Sequence, residues 1–235
     1  MQHLITAGKF LTLWSHLQTE QPGPEAIGSS AVYFPLIGLL VGFFLALLNY
    51  GLGPYVDSDI LSIVLVAVLF AVTGGVHLDG VKKTFDALFP ELSRPRSSNE
   101  NISGFIAALF VILFKVTAID VLGDKIALGL LLAPALARWA LVLFIYGYQD
   151  RFDDLARRVA VQVKFAHLLA STSVILALAV YLLGRRGLWI GFSLSILVLL
   201  APSWLYRRHE VLTFDNFGAV LELSETLSLI LLASL

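Results

Sequence analysis

The chain has 235 residues, with 16 Lys and Arg against 17 Asp and Glu, and no cysteine. A net charge of −1 leaves no basic field to hold nucleic acid, and the missing thiols exclude disulfides, thiolate metal sites and a cysteine nucleophile. With 58% hydrophobic and 14% charged residues, and a mean hydropathy of +0.85, the composition departs from soluble domains, where roughly a quarter of residues are charged, and points to a bilayer.

Lipid offers no partners to backbone N–H and C=O groups, so spanning segments must be helices or closed barrels. Continuous apolar runs rather than strict alternation predict helices, hence an all-α polytopic membrane bundle, one integral-membrane domain over residues 1–235. In chain order, residues 3–17 place Leu4, Leu11 and Trp14 toward one side and Lys9 and His16 elsewhere. That segment reads either as a helix lying in the interface or as a partly buried N-terminal helix. About 20 apolar residues are needed to cross the hydrocarbon, and seven windows meet that within a few residues: 32–50, 60–76, 102–122, 126–148, 165–184, 187–205 and 217–235. In the first, Pro35 falls in the opening turn, where proline is tolerated, and Gly38 and Gly42 form a G-x-x-x-G pattern that signals close helix packing. Two connections are long: 77–101, containing Pro90, Pro95 and Ser97-Ser98-Asn99, and the Asp- and Arg-rich 149–164. The turn Gly184-Arg185-Arg186-Gly187 is short and implies antiparallel neighbours. With the N-terminus inside, eleven Lys and Arg fall on the inner side and three on the outer, which predicts N-in, C-out and a cytoplasmic location for both long connections.

The polar residues that could carry chemistry collect at that inner face. The segment from Gly74 to Phe89 contains His77, Asp79, Lys82, Lys83, Thr84 and Asp86. On a helix, Asp79 and Asp86 share a face two turns apart, and such oxygen ligands suit Mg²⁺, which takes one or two carboxylates and keeps its other positions for water and phosphate oxygens. The same spacing also permits plain surface pairs, Asp79 with Lys83 and Lys82 with Asp86. His77 reads as a general base or as a helix-end hydrogen-bonding residue. Asp215 stands at the inner end of the last window, with Glu222 and Glu225 one to two turns deeper. Charges at that depth face a bundle interior, a cavity or a partner. Lys115 and Arg138 are the positive counterparts, and a bridge from Arg138 to Glu222 or Glu225 is the structural alternative to a role in binding. The chain carries no P-loop, dinucleotide fingerprint, His-Glu-x-x-His or Gly-x-Ser-x-Gly motif.

At these residues the chain resembles the cobalamin synthase family, the adenosylcobinamide-GDP ribazoletransferases. The resemblance runs through Phe34-Pro35-Leu36-Ile37-Gly38-Leu39-Leu40, His77-Leu78-Asp79-Gly80 with Thr84, Asp86 and Phe89, then Gly104, Lys115, Arg138, Asp215, Gly218, Ala219 and Glu222. It implies a Mg²⁺-dependent enzyme of the bacterial or archaeal cell membrane. Such an enzyme joins adenosylcobinamide-GDP to α-ribazole or its 5′-phosphate and releases GMP. It further implies Asp79, Asp86 and Asp215 as catalytic residues, with Asp79 and Asp86 as metal ligands, and His77, Arg138, Lys115 and Glu222 as substrate-binding residues, to which the ammonium of Lys83 adds a substrate-binding candidate of this chain's own, able to take part of the metal's place and contact phosphate directly. A homo-oligomer and docking by other cobamide-assembly enzymes are compatible with it.

The chain departs from the family pattern at Lys83, where a third aspartate is expected, and at Lys82 and Ala87, where alanine and glycine are. The segment Ser97-Ser98-Asn99-Glu100-Asn101 keeps only the serine of an Asp-Ser-Arg-x-Gly-like motif, with Glu100 a candidate replacement acid, and Phe214-Asp215-Asn216 keeps only the aspartate of Gly-Asp-Thr. These departures define the competing expectation, a catalytically silent paralogue acting as a membrane scaffold or corrinoid-binding partner. A transporter using Arg138, Lys115 and Glu222 is disfavoured, because no inverted repeat is visible.

Overall fold

The computed structural model describes residues 2–13, 22–89, 102–209 and 211–234, with the backbone alone for residue 201 and residues 204–209. Among these, helices account for the regular structure, and the single β-type feature is an isolated bridge between Phe152 and Leu212. The expected all-α membrane bundle is therefore what the chain forms. Trp14, His16, Pro90, Pro95 and the segment 97–101 with Glu100 lie outside the described residues.

Helix α1 (Gln2–Leu11) buries Ala7, Gly8 and Leu11, so over this length the N-terminal segment is a partly buried helix. After the short α2 (Pro24–Ser29) come α3 (Phe34–Leu52), α4 (Ser58–Thr73), α5 (Val76–Leu88), α6 (Ile102–Asp120) and α7 (Ile126–Gly147). These are followed by α8 (Asp154–Ala160), α9 (Phe165–Leu183), α10 (Arg185–His209) and α11 (Asp215–Ala233). Counting the adjoining 3₁₀ turns before α3 and α7, five helices are long and apolar enough to cross a membrane: α3, α6, α7, α9 and α11. The consecutive pair α4 and α5 adds a sixth if taken as one broken span. The 25-residue α10 covers the predicted window 187–205.

The window 60–76 needs correction. Its helix stops at Thr73, and the chain turns at Gly74 and Gly75, both at φ 67°. Side chains rarely adopt that left-handed conformation, so two consecutive glycines break the helix cleanly. The following α5 leaves at 89° to α4. Its sequence carries Asp79, Lys82, Lys83 and Asp86, and a helix so charged runs across the ends of the spanning helices rather than along them.

The bundle is built around α7, whose residues from Leu132 to Val142 are all buried. Helices α3 and α11 pack on it most extensively, with α9 and α10 completing the surround. The Gly38/Gly42 pattern makes the α3 contact: a Cβ on Gly38 would lie 2.5 Å from the Pro134 carbonyl oxygen, and one on Gly42 2.5 Å from that of Leu130. Backbones touch there because side chains are absent, as small-residue packing in lipid requires. Large apolar side chains point outward instead, among them Phe43 and Leu47 on α3, Phe110 and Phe114 on α6, and Trp189 and Phe192 on α10. In a soluble protein such a surface would be a liability, whereas in a bilayer it is the solvated face.

Candidate active site

Helix α5 lies against the starts of α6 and α11, and two contacts fix it there. The first is a backbone crossing, in which a Cβ on Gly80 would meet the Asp215 carbonyl oxygen at 2.5 Å and one on Gly218 would meet the His77 carbonyl oxygen at 2.9 Å. The second is Asp86, whose Oδ1 accepts the Gly104 N–H at 2.7 Å and the Ser103 hydroxyl at 3.2 Å. A carboxylate at the first turn of α6 satisfies otherwise unpaired amides and complements the helix dipole.

Held in this way, α5 presents Lys83 to two carboxylates at once. Its Nζ lies 2.8 Å from Asp79 Oδ2 and 3.2 Å from Asp215 Oδ1. The Asp79–Lys83 surface pair read from the i,i+4 spacing is present, and tertiary packing adds Asp215 from 132 residues away. Hydrogen bonds that Lys83 donates to the two carboxylates hold its pKa above its ordinary value, so the ammonium stays charged throughout the physiological range. Lys83, Thr84, Ala87, Val211, Thr213, Asp215 and Asn216 line a cavity of about 320 Å³. Within its wall Asn216 Nδ2 donates to Thr84 Oγ1 at 2.9 Å, and Asn216 Oδ1 accepts the Thr213 N–H at 2.6 Å. Of these wall residues sequence reasoning missed Thr213 outright, and it named Thr84 and Asn216 as motif residues without giving them a role in the site. Thr84 and Asn216 stand beside the acidic residues of the two motifs, and that adjacency was the available signal.

Asp215 also lines a second cavity, of about 190 Å³, together with Thr73, His77, Gly80 and Phe214. His77 is 6% exposed, and its Nε2 has no hydrogen-bond partner among the described residues. The Leu11 carbonyl bonds the ring, which leaves Nε2 as the acceptor. Burial, reinforced by the positive charge of Arg138, lowers the His77 pKa to about 4. As pH falls below 6.5 the unfolded chain takes up a proton that the folded one refuses until about 4. Folding stability should therefore drop by roughly 1.4 kcal/mol per pH unit, about 3 kcal/mol by pH 4. Melting temperatures in detergent between pH 7 and pH 4.5 should fall more steeply for wild type than for His77→Gln. Parallel curves would contradict this assignment.

The remaining predicted site residues meet elsewhere, inside the bundle. Lys115 on α6 donates to Glu222 Oε2 and Glu225 Oε1 on α11, each at 2.5 Å. Arg138 on α7 bonds Glu225 and the Pro134 carbonyl. All four charged residues are 0 to 1% exposed, and the Lys115 ammonium also sits 5.3 Å from the centre of the Phe70 ring on α4. Two cations and two anions thus neutralise one another while joining α6, α7 and α11, and the Phe70 ring contact adds α4. This is the Arg138–Glu225 form of the structural alternative.

The chain's similarity to known proteins covers these same elements. The family model for cobalamin-5-phosphate synthase matches residues 3–233. The chain belongs to the cobalamin-5-phosphate synthase family. An adenosylcobinamide-GDP ribazoletransferase of Roseiflexus sp. (strain RS-1) is 32% identical over 229 residues, covering 94% of this chain and 85% of the relative. Proteins of the same description from Alkaliphilus metalliredigens and Pseudomonas fluorescens are 29% and 35% identical, covering 96% and 87% of this chain and 92% and 88% of theirs. No solved structure matches.

For this member of the cobalamin-5-phosphate synthase family, the Mg²⁺ ligand pair Asp79 and Asp86 does not fit the geometry. Asp86 is engaged by the Gly104 amide and the Ser103 hydroxyl, Asp79 and Asp215 converge on an ammonium, and among the described residues no group of three His, Asp or Glu side chains could hold a metal ion. Helical periodicity places Asp79 and Asp86 on one face, but their partners come from different helices.

Proposed function

We propose that the protein is an adenosylcobinamide-GDP ribazoletransferase, joining adenosylcobinamide-GDP to α-ribazole or its 5′-phosphate with release of GMP. The observation that carries this reading is the family match over residues 3–233, since it takes in every element that builds the Lys83 cavity. The site lies at the cytoplasmic face of the cell membrane, with the N-terminus inside, a placement supported by the eleven-to-three distribution of Lys and Arg.

In the reaction, a hydroxyl oxygen of α-ribazole bonds to the corrinoid-side phosphorus and the bond from that phosphorus to the bridging oxygen breaks. GMP leaves with the bridging oxygen and the electron pair, and the hydroxyl proton must be taken up. Asp215 carries the acid–base role in this reading, orienting the hydroxyl and accepting that proton, which its position bordering both cavities supports. The Lys83 ammonium offsets the charge that builds on the departing GMP. Phosphoryl transfer draws its rate gain mainly from such positioning and electrostatics.

Protein reconstituted in liposomes with adenosylcobinamide-GDP and α-ribazole should release GMP and form the joined corrinoid. Asp215→Ala should slow this by roughly 100-fold or more, the range for losing a positioned acid–base group. Failure of the wild type to release GMP, with or without Mg²⁺, would reject the reading and leave a membrane scaffold as its successor.

A further inference from the structure

We infer that Lys83 is a tethered cation occupying the place of a divalent metal between Asp79 and Asp215, and that the site grips the diphosphate of its nucleotide substrate directly through this ammonium. The inference rests on the transferase reading for the identity of the substrate.

The geometry begins with one nitrogen lying 2.8 and 3.2 Å from oxygens of two carboxylates that belong to different helices. A metal ion bridging the same oxygens, at its usual distance of about 2.1 Å, would have to stand where the ammonium stands. Among the described residues no neighbouring acid compensates, because Asp86, the other carboxylate of α5, accepts the Gly104 N–H. An ammonium has three N–H donors in all. Asp79 and Asp215 engage two of them, and the third, with no further partner among the described residues, can take a phosphate oxygen.

The surroundings suit such a ligand. Lys83 is about half exposed and lines the 320 Å³ cavity, whose wall supplies the Thr84 and Thr213 hydroxyls and the Asn216 amide as further hydrogen-bonding groups. This arrangement is a polar cleft organised around a fixed positive charge. Exchanging the ammonium for a carboxylate changes the local charge by two units, which is the charge of one divalent cation. A variant so changed would need a metal that the wild type does without.

Binding of Mn²⁺ alone to the purified full-length protein in detergent, followed by electron paramagnetic resonance, reads this directly. Wild type should leave the Mn²⁺ signal free, whereas Lys83→Asp should bind about one ion through its three clustered carboxylates, and Lys83→Gln should bind more weakly through two. Specific binding of Mn²⁺ by wild type that Asp79→Ala abolishes would overturn the inference, and so would failure of both variants to gain binding. In parallel, GMP release by wild type should change less than about two-fold when Mg²⁺ is replaced by a chelator, while Lys83→Gln in chelator should lose on the order of 100-fold. Release that requires Mg²⁺ in wild type would overturn the tethered-cation role and leave the transferase intact. Absence of release under every condition would instead remove the transferase reading, and the Mn²⁺ titration would still decide whether the ammonium stands in for a metal.

Discussion

Replacing Glu225 by alanine should destabilise the bundle by about 3–5 kcal/mol, the cost of breaking a buried ion pair by removing one partner. Glu225 is the member that touches both cations, through Oε1 to Lys115 and Oε2 to Arg138. Without it, Arg138 would keep only the Pro134 carbonyl, and its Nε and Nη2 already lack hydrogen-bond partners among the described residues. Lys115 would keep Glu222. The ordering follows directly: Glu225→Ala should cost more than Glu222→Ala, because among the described residues Glu222 pairs with Lys115 alone. Because the four charges sum to zero, removing an opposite pair together, Arg138→Met with Glu225→Met, should cost less than Glu225→Ala by itself. Thermal unfolding in a fixed detergent gives all three values. A double variant less stable than Glu225→Ala would show that the cluster is valued for its shape rather than its neutrality.

That cluster illustrates what could and could not be read from the chain. Lipid forces spanning segments to be helical and long, so the apolar windows locate α3, α6, α7, α9 and α11 to within a few residues. The expense of isolated charge in a bilayer makes Lys115, Arg138, Glu222 and Glu225 recognisable as mutual partners before any fold is known. Hydropathy does not register direction, however. Gly74 and Gly75 fit an apolar window as well as any small residues do, and only their positive φ reveals the 89° departure of α5. Periodicity likewise groups Asp79 with Asp86, but it cannot see that α6 begins beside Asp86 and offers it two donors. The meeting of Lys83 with Asp215 depends on where α5 crosses α11, a tertiary fact. Its trace in the sequence is one glycine in each helix, Gly80 and Gly218, and nothing in either local pattern pairs them.

The crossing yields the prediction with the largest effect on catalysis. Gly80→Ala should lower kcat by roughly 100-fold while costing only about 1–3 kcal/mol of stability. The added methyl would meet the Asp215 carbonyl oxygen at 2.5 Å and the Gly218 Cα at 3.0 Å. Both are backbone atoms, so α5 and the start of α11 must move apart, and the displacement falls on the residues that carry Lys83, Asp79 and Asp215. Misplacement of reacting groups by about 1 Å is enough for a loss of that size. Gly38→Ala provides the matched comparison, because its methyl would also meet backbone, the Pro134 carbonyl oxygen at 2.5 Å, but between α3 and α7 and away from the cavity. That variant should lose comparable stability and keep its kcat to within a few-fold. Equal losses of activity in the two variants would mean that the bundle as a whole, rather than the α5–α11 crossing, sets the geometry of the site. Retention of activity by Gly80→Ala would mean that substrate is handled somewhere other than at Lys83.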